Sequence, residues 1–164
     1  MAELMDSGNR REFETGAVRD CADGKGRCDL LPIEIVDEFI HMHDWRIVLE
    51  RISAFLKYGE EINLYEAIQY FCEFEEWDYF TMMLEVSKQF EDGAKKYGDN
   101  NWKKGIPLHC YIDSAIRHFI KFCRGDQDEP HNRAFCWNII CALWTYRNKP
   151  EMIDIQFERK EPQQ

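Results

Sequence analysis

Several things that would place this chain quickly are missing from it. No apolar run approaches the ~20 residues that a helix needs to cross a bilayer, and no opening segment carries the charged-then-apolar pattern of a secretory leader. A cytoplasmic protein without a membrane partner is therefore expected. Basic charge is in deficit, with 21 Lys and Arg against 31 Asp and Glu, a formal net charge of −10. Nucleic-acid backbones are held by an excess of cations, so a general nucleic-acid binder is excluded and any anion site has to be local. Cysteine signals are weak: Cys21, Cys28, Cys72, Cys110, Cys123, Cys136 and Cys141 are odd in number and form no CxxC pair. Most lie in apolar helical text, as reduced thiols acting as small core hydrophobes do. Cys21 and Cys28 could pair or hold zinc, but without a second pair they read as structural. Alternating apolar and polar residues bounded by hairpin turns are absent as well, which removes sheet folds and leaves an all-α protein.

What is present supports that reading. A hydrophobic fraction of 45% and an aromatic fraction of 14% are enough for a packed core. Apolar residues recur at helical spacing over Ile33–His43, Trp45–Tyr58, Leu64–Phe74 and Asp78–Tyr97, over a helix opened by Pro107, and over one opened by Pro130 that stops ahead of Pro150. Gly59, Gly98 and Gly125 supply the stops. A compact bundle of about five or six helices with a glycine-rich N-terminal arm is expected. Residues 1–12 read as a flexible start, 13–150 as a single domain and 151–164 as a tail. From Glu60 to Asp92 ten carboxylates face one basic residue, Lys88. Most of such a run is a solvated helix face.

Three stretches carry chemistry. In "DSAIRHF", Asp113 and Arg117 are spaced for an intrahelical ion pair, and His118 sits at the edge of the apolar stripe, where a boundary histidine is the simpler reading. In "GDQDEPHNRAFCWN", Asp126, Asp128 and Glu129 crowd a helix start. One acid suffices as a cap, and three repel one another unless a cation sits among them. His131 and Asn138 then share a face of that helix. With Lys95, Lys96 and Arg117 nearby in sequence, the set would suit Mg²⁺ carrying a polyphosphate, since Mg²⁺ takes a few carboxylates plus substrate phosphates. In "TGAVRDCADGKGRCDLLP", Arg19, Lys25 and Arg27 alternate with Gly16, Gly24 and Gly26. This is not a Walker A loop, because Gly follows the Gly-Lys pair. It is either an anion-holding loop or a surface arm packed on the bundle.

Four blocks in order, "FETGAVRDCADGKGRCDLLP" (Phe13–Pro32), "GAKKYGDNNWKKGIP" (Gly93–Pro107), "DSAIRHF" (Asp113–Phe119) and "GDQDEPHNRAFCWN" (Gly125–Asn138), resemble the dATP/dGTP diphosphohydrolase domain found mainly in phages and prophages. That family is related in chemistry to the all-α MazG-like pyrophosphohydrolases. The resemblance spans roughly half of the chain. It implies a helical, usually homo-oligomeric enzyme that splits a deoxynucleoside triphosphate into monophosphate and pyrophosphate with Mg²⁺. Carried over residue by residue, it implies Lys95, Lys96, Tyr97, Asn101, Trp102, Arg117 and His118 as substrate-binding residues, the lysines on phosphate and Trp102 as a base or sugar platform. Arg19, Lys25 and Arg27 of the arm and Asn138 join them. Asp128, Glu129 and His131 are the expected catalytic group. Glu85, Glu91, Asp128 and Glu129 are the expected metal ligands, and Glu91 has a competing partner in Lys95. The chain departs from the family in a stretch at 41–76 that looks inserted, and in lacking a clean MazG-type acid signature. Two other functions fit the same residues. One is a nucleotide-sequestering protein of the sponge kind, which needs the basic and aromatic groups but no convergent carboxylates. The other is an acidic interaction protein that acts on a host factor.

Overall fold

A computed structural model describes residues 10–21, 25–32 and 43–158, with 43 and 44 described for their backbone alone. The helix expected over Ile33–His43 lies outside the described residues apart from its last position. The fold is all-α, with five α-helices among the described residues: α1 (His43–Tyr58), α2 (Glu61–Phe74), α3 (Tyr79–Tyr97), α4 (Leu108–Arg124) and α5 (His131–Asn148). Two short strands precede them, β1 (Arg10–Glu12) and β2 (Val18–Asp20), paired antiparallel with Arg11 opposite Arg19. The sequence reading missed this hairpin and placed Arg10–Glu12 in a flexible start. Three-residue strands are too short to show alternation, and much of what stabilises β2 comes from a residue far along the chain.

The chain divides into two compact units. The first comprises residues 1–30 and 79–154, and the second residues 31–78 and 155–164. The stretch read as an insertion, 41–76, falls inside the second unit. In that unit α1 and α2 pack through Val48, Leu49, Ile52, Phe55, Leu64, Ala67, Ile68 and Phe71, all buried. Trp45 adds ring contacts to Phe71 at 5.8 Å and Phe74 at 4.8 Å. The chain leaves α1 through Gly59, whose φ of +68° few other residues tolerate. Part of the expected tail returns here: the Phe157 ring lies 5.6 Å from that of Phe55, and the Glu158 amide donates to the Lys57 carbonyl at 2.7 Å.

In the first unit α5 packs along α4 and α3, with Ile112, Ala115, Ile116, Phe119, Phe135, Ile139 and Ala142 buried between them. Pro107 precedes α4 and Gly125 closes it in the left-handed region, its amide donating to Phe122 and that of Asp126 to Lys121. The connection from α4 to α5 is therefore short and fixed. It carries Asp126, Asp128 and Glu129 to the start of α5.

Candidate functional site

The arm is tied to the helices by side chains that replace missing backbone partners. Asn101 accepts from the Val18 amide at 3.0 Å and donates to the Val18 carbonyl at 2.9 Å, so its amide serves β2 as a neighbouring strand would. Arg19 then reaches inward, donating to Ser114 Oγ at 3.1 Å and Asn138 Oδ1 at 3.0 Å, with its guanidinium 5.0 Å from the Tyr111 ring centre. Asn138 is itself held by donation to the Ala134 carbonyl. Asp20 accepts from Lys96 and from the Tyr97 hydroxyl, each at 2.7 Å. Burial, with the Asp20 carboxylate next in effect, pushes the Tyr97 phenol well above its usual range. Asp113 pairs with Arg117 and also accepts the Cys28 amide at 2.6 Å, so the buried carboxylate anchors the Cys28–Leu30 turn of the arm.

These anchors enclose a cavity of about 950 Å³, a size that suits a drug-sized or cofactor-sized ligand. Six cationic side chains line it (Arg11, Arg19, Lys25, Lys96, Arg117, Lys121) against six acids, so its charge is balanced where the chain as a whole is acidic. Among the described residues eight buried side-chain polar atoms have no hydrogen-bond partner. Five of them belong to lining residues: Arg11 Nε, Arg19 Nη1, Arg117 Nε, Trp137 Nε1 and Gln89 Oε1. Each such atom costs about 1–3 kcal/mol if it stays unpaired, so five of them in lining residues mark a surface made to meet something polar. Beside them Phe90, Trp102 and Trp137 form an aromatic wall, the Phe90 ring 5.2 Å from Trp102 and 5.8 Å from Trp137.

Histidines also meet acids at the cavity. His118 Nδ1 lies 3.0 Å from His131 Nδ1, and His131 Nε2 lies 2.8 Å from Asp128 Oδ1. An ionised carboxylate only accepts, so the proton on that side belongs to His131 Nε2. Asp128 also takes Lys121 Nζ at 2.6 Å, and that bond, with lesser help from His131, holds its carboxyl well below the usual range. Burial first, then His131 and Arg117, lower the His118 pKa to about 3, so its imidazole is neutral near pH 7. A Glu129 oxygen and a nitrogen from each histidine lie within 4.8 Å of one another.

Compared with known protein families, residues 75–155 match dATP/dGTP diphosphohydrolase, N-terminal. No curated protein and no solved structure matches the chain. The matched segment contains α3, α4 and α5, hence the aromatic wall and the histidine corner. The Phe13–Pro32 block lies outside it, although Arg19 and Asp20 line the same cavity.

Of the residues expected at the site, Arg19, Lys25, Glu91, Lys96, Tyr97, Asn101, Trp102, Arg117, His118, Asp128, Glu129 and Asn138 line the cavity. Four do not. Arg27 turns back on Asp29, Lys95 pairs with Glu91 on the exposed side of α3, and Glu85 pairs with Lys88. His131 sits behind His118, 3% exposed. Several lining residues also have work other than touching a ligand: Asn101 holds β2, Asn138 holds Arg19, and Lys96 and Tyr97 hold Asp20. Among the described residues Glu85 and Glu91 fall in neither group of converging metal-ligand side chains, and each is paired with a lysine along α3. Sequence reasoning missed Arg11, Gln89, Ser114 and Trp137. Arg11 lay in text read as frayed, and the other three carry no formal charge to set them apart on their helices.

Proposed function

We propose that the chain hydrolyses the purine deoxynucleoside triphosphates dATP and dGTP to monophosphate and pyrophosphate. The observation that carries this reading is the set of unpartnered buried polar atoms lining the cavity of a diphosphohydrolase segment. Arg19 Nη1 and Arg117 Nε are donors for triphosphate oxygens. The Phe90–Trp102–Trp137 wall takes the base by stacking, with the Gln89 carbonyl accepting from an exocyclic amine and the Trp137 N–H donating to a ring nitrogen or carbonyl. In the reaction water adds to the α-phosphorus, the bond from that phosphorus to the αβ-bridging oxygen breaks, and pyrophosphate leaves with the electron pair. Glu129 and His118 form the polar end of the cavity that this water meets, and Asp128 orients His118 through His131. Mg²⁺ belongs to this reading as the counter-ion of the triphosphate, held by phosphate oxygens. The enzyme is proposed to be a cytoplasmic homo-oligomer. The net charge of −10 argues against nucleic acid as a partner, and among the described residues no helix is long and apolar enough to cross a membrane.

A second reading is favoured by the dispersal of Glu85 and Glu91: a protein of the sponge kind that holds a nucleotide without turning it over. Incubation with each dNTP and a divalent cation separates the two. Release of monophosphate and pyrophosphate from dATP or dGTP is the expected result, with Glu129→Gln folded and at least ~100-fold slower. Nucleotide recovered intact but bound to protein would establish the sponge in its place.

A further inference from the structure

We propose that His118, His131 and Glu129 form a site for one transition-metal dication of the Mn²⁺-to-Zn²⁺ kind, chemically different from the oxygen-only Mg²⁺ set read from the sequence. The geometry begins with two imidazoles from different helices, His118 on α4 and His131 on α5, whose Nδ1 atoms lie 3.0 Å apart. Two nitrogens at that distance need either a proton or a cation between them. Asp128 settles the orientation of His131: with the proton held on Nε2 by the carboxylate at 2.8 Å, Nδ1 carries its lone pair toward His118. A histidine fixed from behind by a carboxylate, with its other nitrogen free to ligate, is a common way of presenting imidazole to a metal. Ligand atoms at metal–nitrogen distances of about 2.0–2.1 Å sit roughly 3 Å apart when they are neighbours on one ion, which the observed contact approaches. The Glu129 carboxylate supplies the third atom within 4.8 Å and has no ion-pair partner among the described residues.

The surrounding charges permit a dication. Arg117 is paired with Asp113, and Lys121 with Asp128, so neither cation opposes the ion with its full charge. The alternative trio of Asp126, Asp128 and His131 is less suited, since Asp126 is engaged by Arg124 and Asp128 by Lys121. Imidazole ligands select the later first-row metals over Mg²⁺, which prefers oxygen. His118 and Glu129 line the cavity while His131 lies behind them. Three protein ligands therefore leave coordination positions open on the cavity side, as in a site that engages a ligand and unlike a closed structural one.

The test uses Co²⁺ as the probe, added to metal-free full-length protein without nucleotide, so its outcome is separate from whether the chain hydrolyses one. Visible d–d absorption saturating at one Co²⁺ per chain is expected, reversed by Zn²⁺ and unaffected by Mg²⁺ in roughly thousand-fold excess. His118→Asn and Glu129→Gln should each weaken Co²⁺ binding at least ~10-fold, and Asp128→Asn should do so by a similar factor through His131. Because Glu129 is half-buried and unpaired, Glu129→Gln keeps its melting temperature and remains informative if the histidine variant does not fold. A silent Co²⁺ spectrum means that the imidazoles share only a proton, and the proposal falls. Displacement by Mg²⁺, or full affinity in folded Glu129→Gln, overturns it equally.

Discussion

At the scale of single residues, Gln89 shows how a group proposed to meet a ligand can burden the free protein. It is 7% exposed and its Oε1 has no partner. Gln89→Leu keeps most of the volume and removes the unpaired carbonyl, so the melting temperature is expected to hold or rise while KM for the nucleotide increases about tenfold, the loss of one hydrogen bond of about 1.4 kcal/mol. A melting temperature several degrees lower would mean that Gln89 is structurally paired after all. His109 carries the pH dependence. Its Nε2 meets Cys110 Sγ at 3.3 Å and its Nδ1 meets Asp154. The contact to Cys110 is the largest cause, and with Asp154 it raises the histidine pKa from 6.5 to about 9. The folded state therefore binds the proton more tightly than the unfolded chain does. The resulting stabilisation is fully present below pH 6.5 and is lost as pH rises through about 9. Denaturant midpoints measured across that window should fall with rising pH, and His109→Gln should flatten the slope.

At the scale of elements, two attachments matter, one in each unit. Asn101 stands in for a strand beside β2, and Asn101→Ala removes both of its bonds to Val18. A loss of about 2 kcal/mol is expected, read as a shift in urea midpoint. Nucleotide binding should weaken with it, because Arg19 and Asp20 ride on the same strand. Gly59 ends α1 at φ +68°, and a methyl there would stand 2.9 Å from the Phe157 ring. Gly98 ends α3 at φ +87° with open space around it. Gly98→Ala should cost about 1 kcal/mol for conformation alone, and Gly59→Ala about 2 kcal/mol because the ring must also move. Equal losses at the two positions would contradict the docking of Phe157. The helices themselves were readable from spacing and stops, since both are local properties. The Arg10–Glu12 and Val18–Asp20 pair was not, because Asn101 lies 83 residues from Val18.

At the scale of the whole molecule, α3 exposes Tyr79, Phe80, Met83 and Leu84 on adjacent turns, Phe80 at 77% and Leu84 at 67%. Large exposed apolar side chains grouped in this way are characteristic of association surfaces. They are the face on which the proposed homo-oligomer is expected to rest. Light scattering should report an assembly for the unaltered protein and a monomer for Phe80→Glu combined with Leu84→Glu. A monomer before substitution would remove the oligomer from the functional proposal.

The sequence alone determined the all-α class, most helix boundaries and the three family blocks that lie within residues 75–155, because helical period, glycine stops and local motifs are written within a few residues of one another. It also placed Arg19, Arg117, His118 and the Asp128–Glu129 pair among the candidates. Only the tertiary structure decided which of them meet. Glu85 and Glu91 found lysines one turn away on α3, Arg27 found Asp29, and Asn101 and Asn138 became supports for the arm. Gln89 and Trp137 came to line the cavity with unpaired polar atoms, and His118 came to face His131 across two helices. Charge and residue type are properties of the chain, but convergence depends on helix packing, which brings together atoms that no local spacing relates.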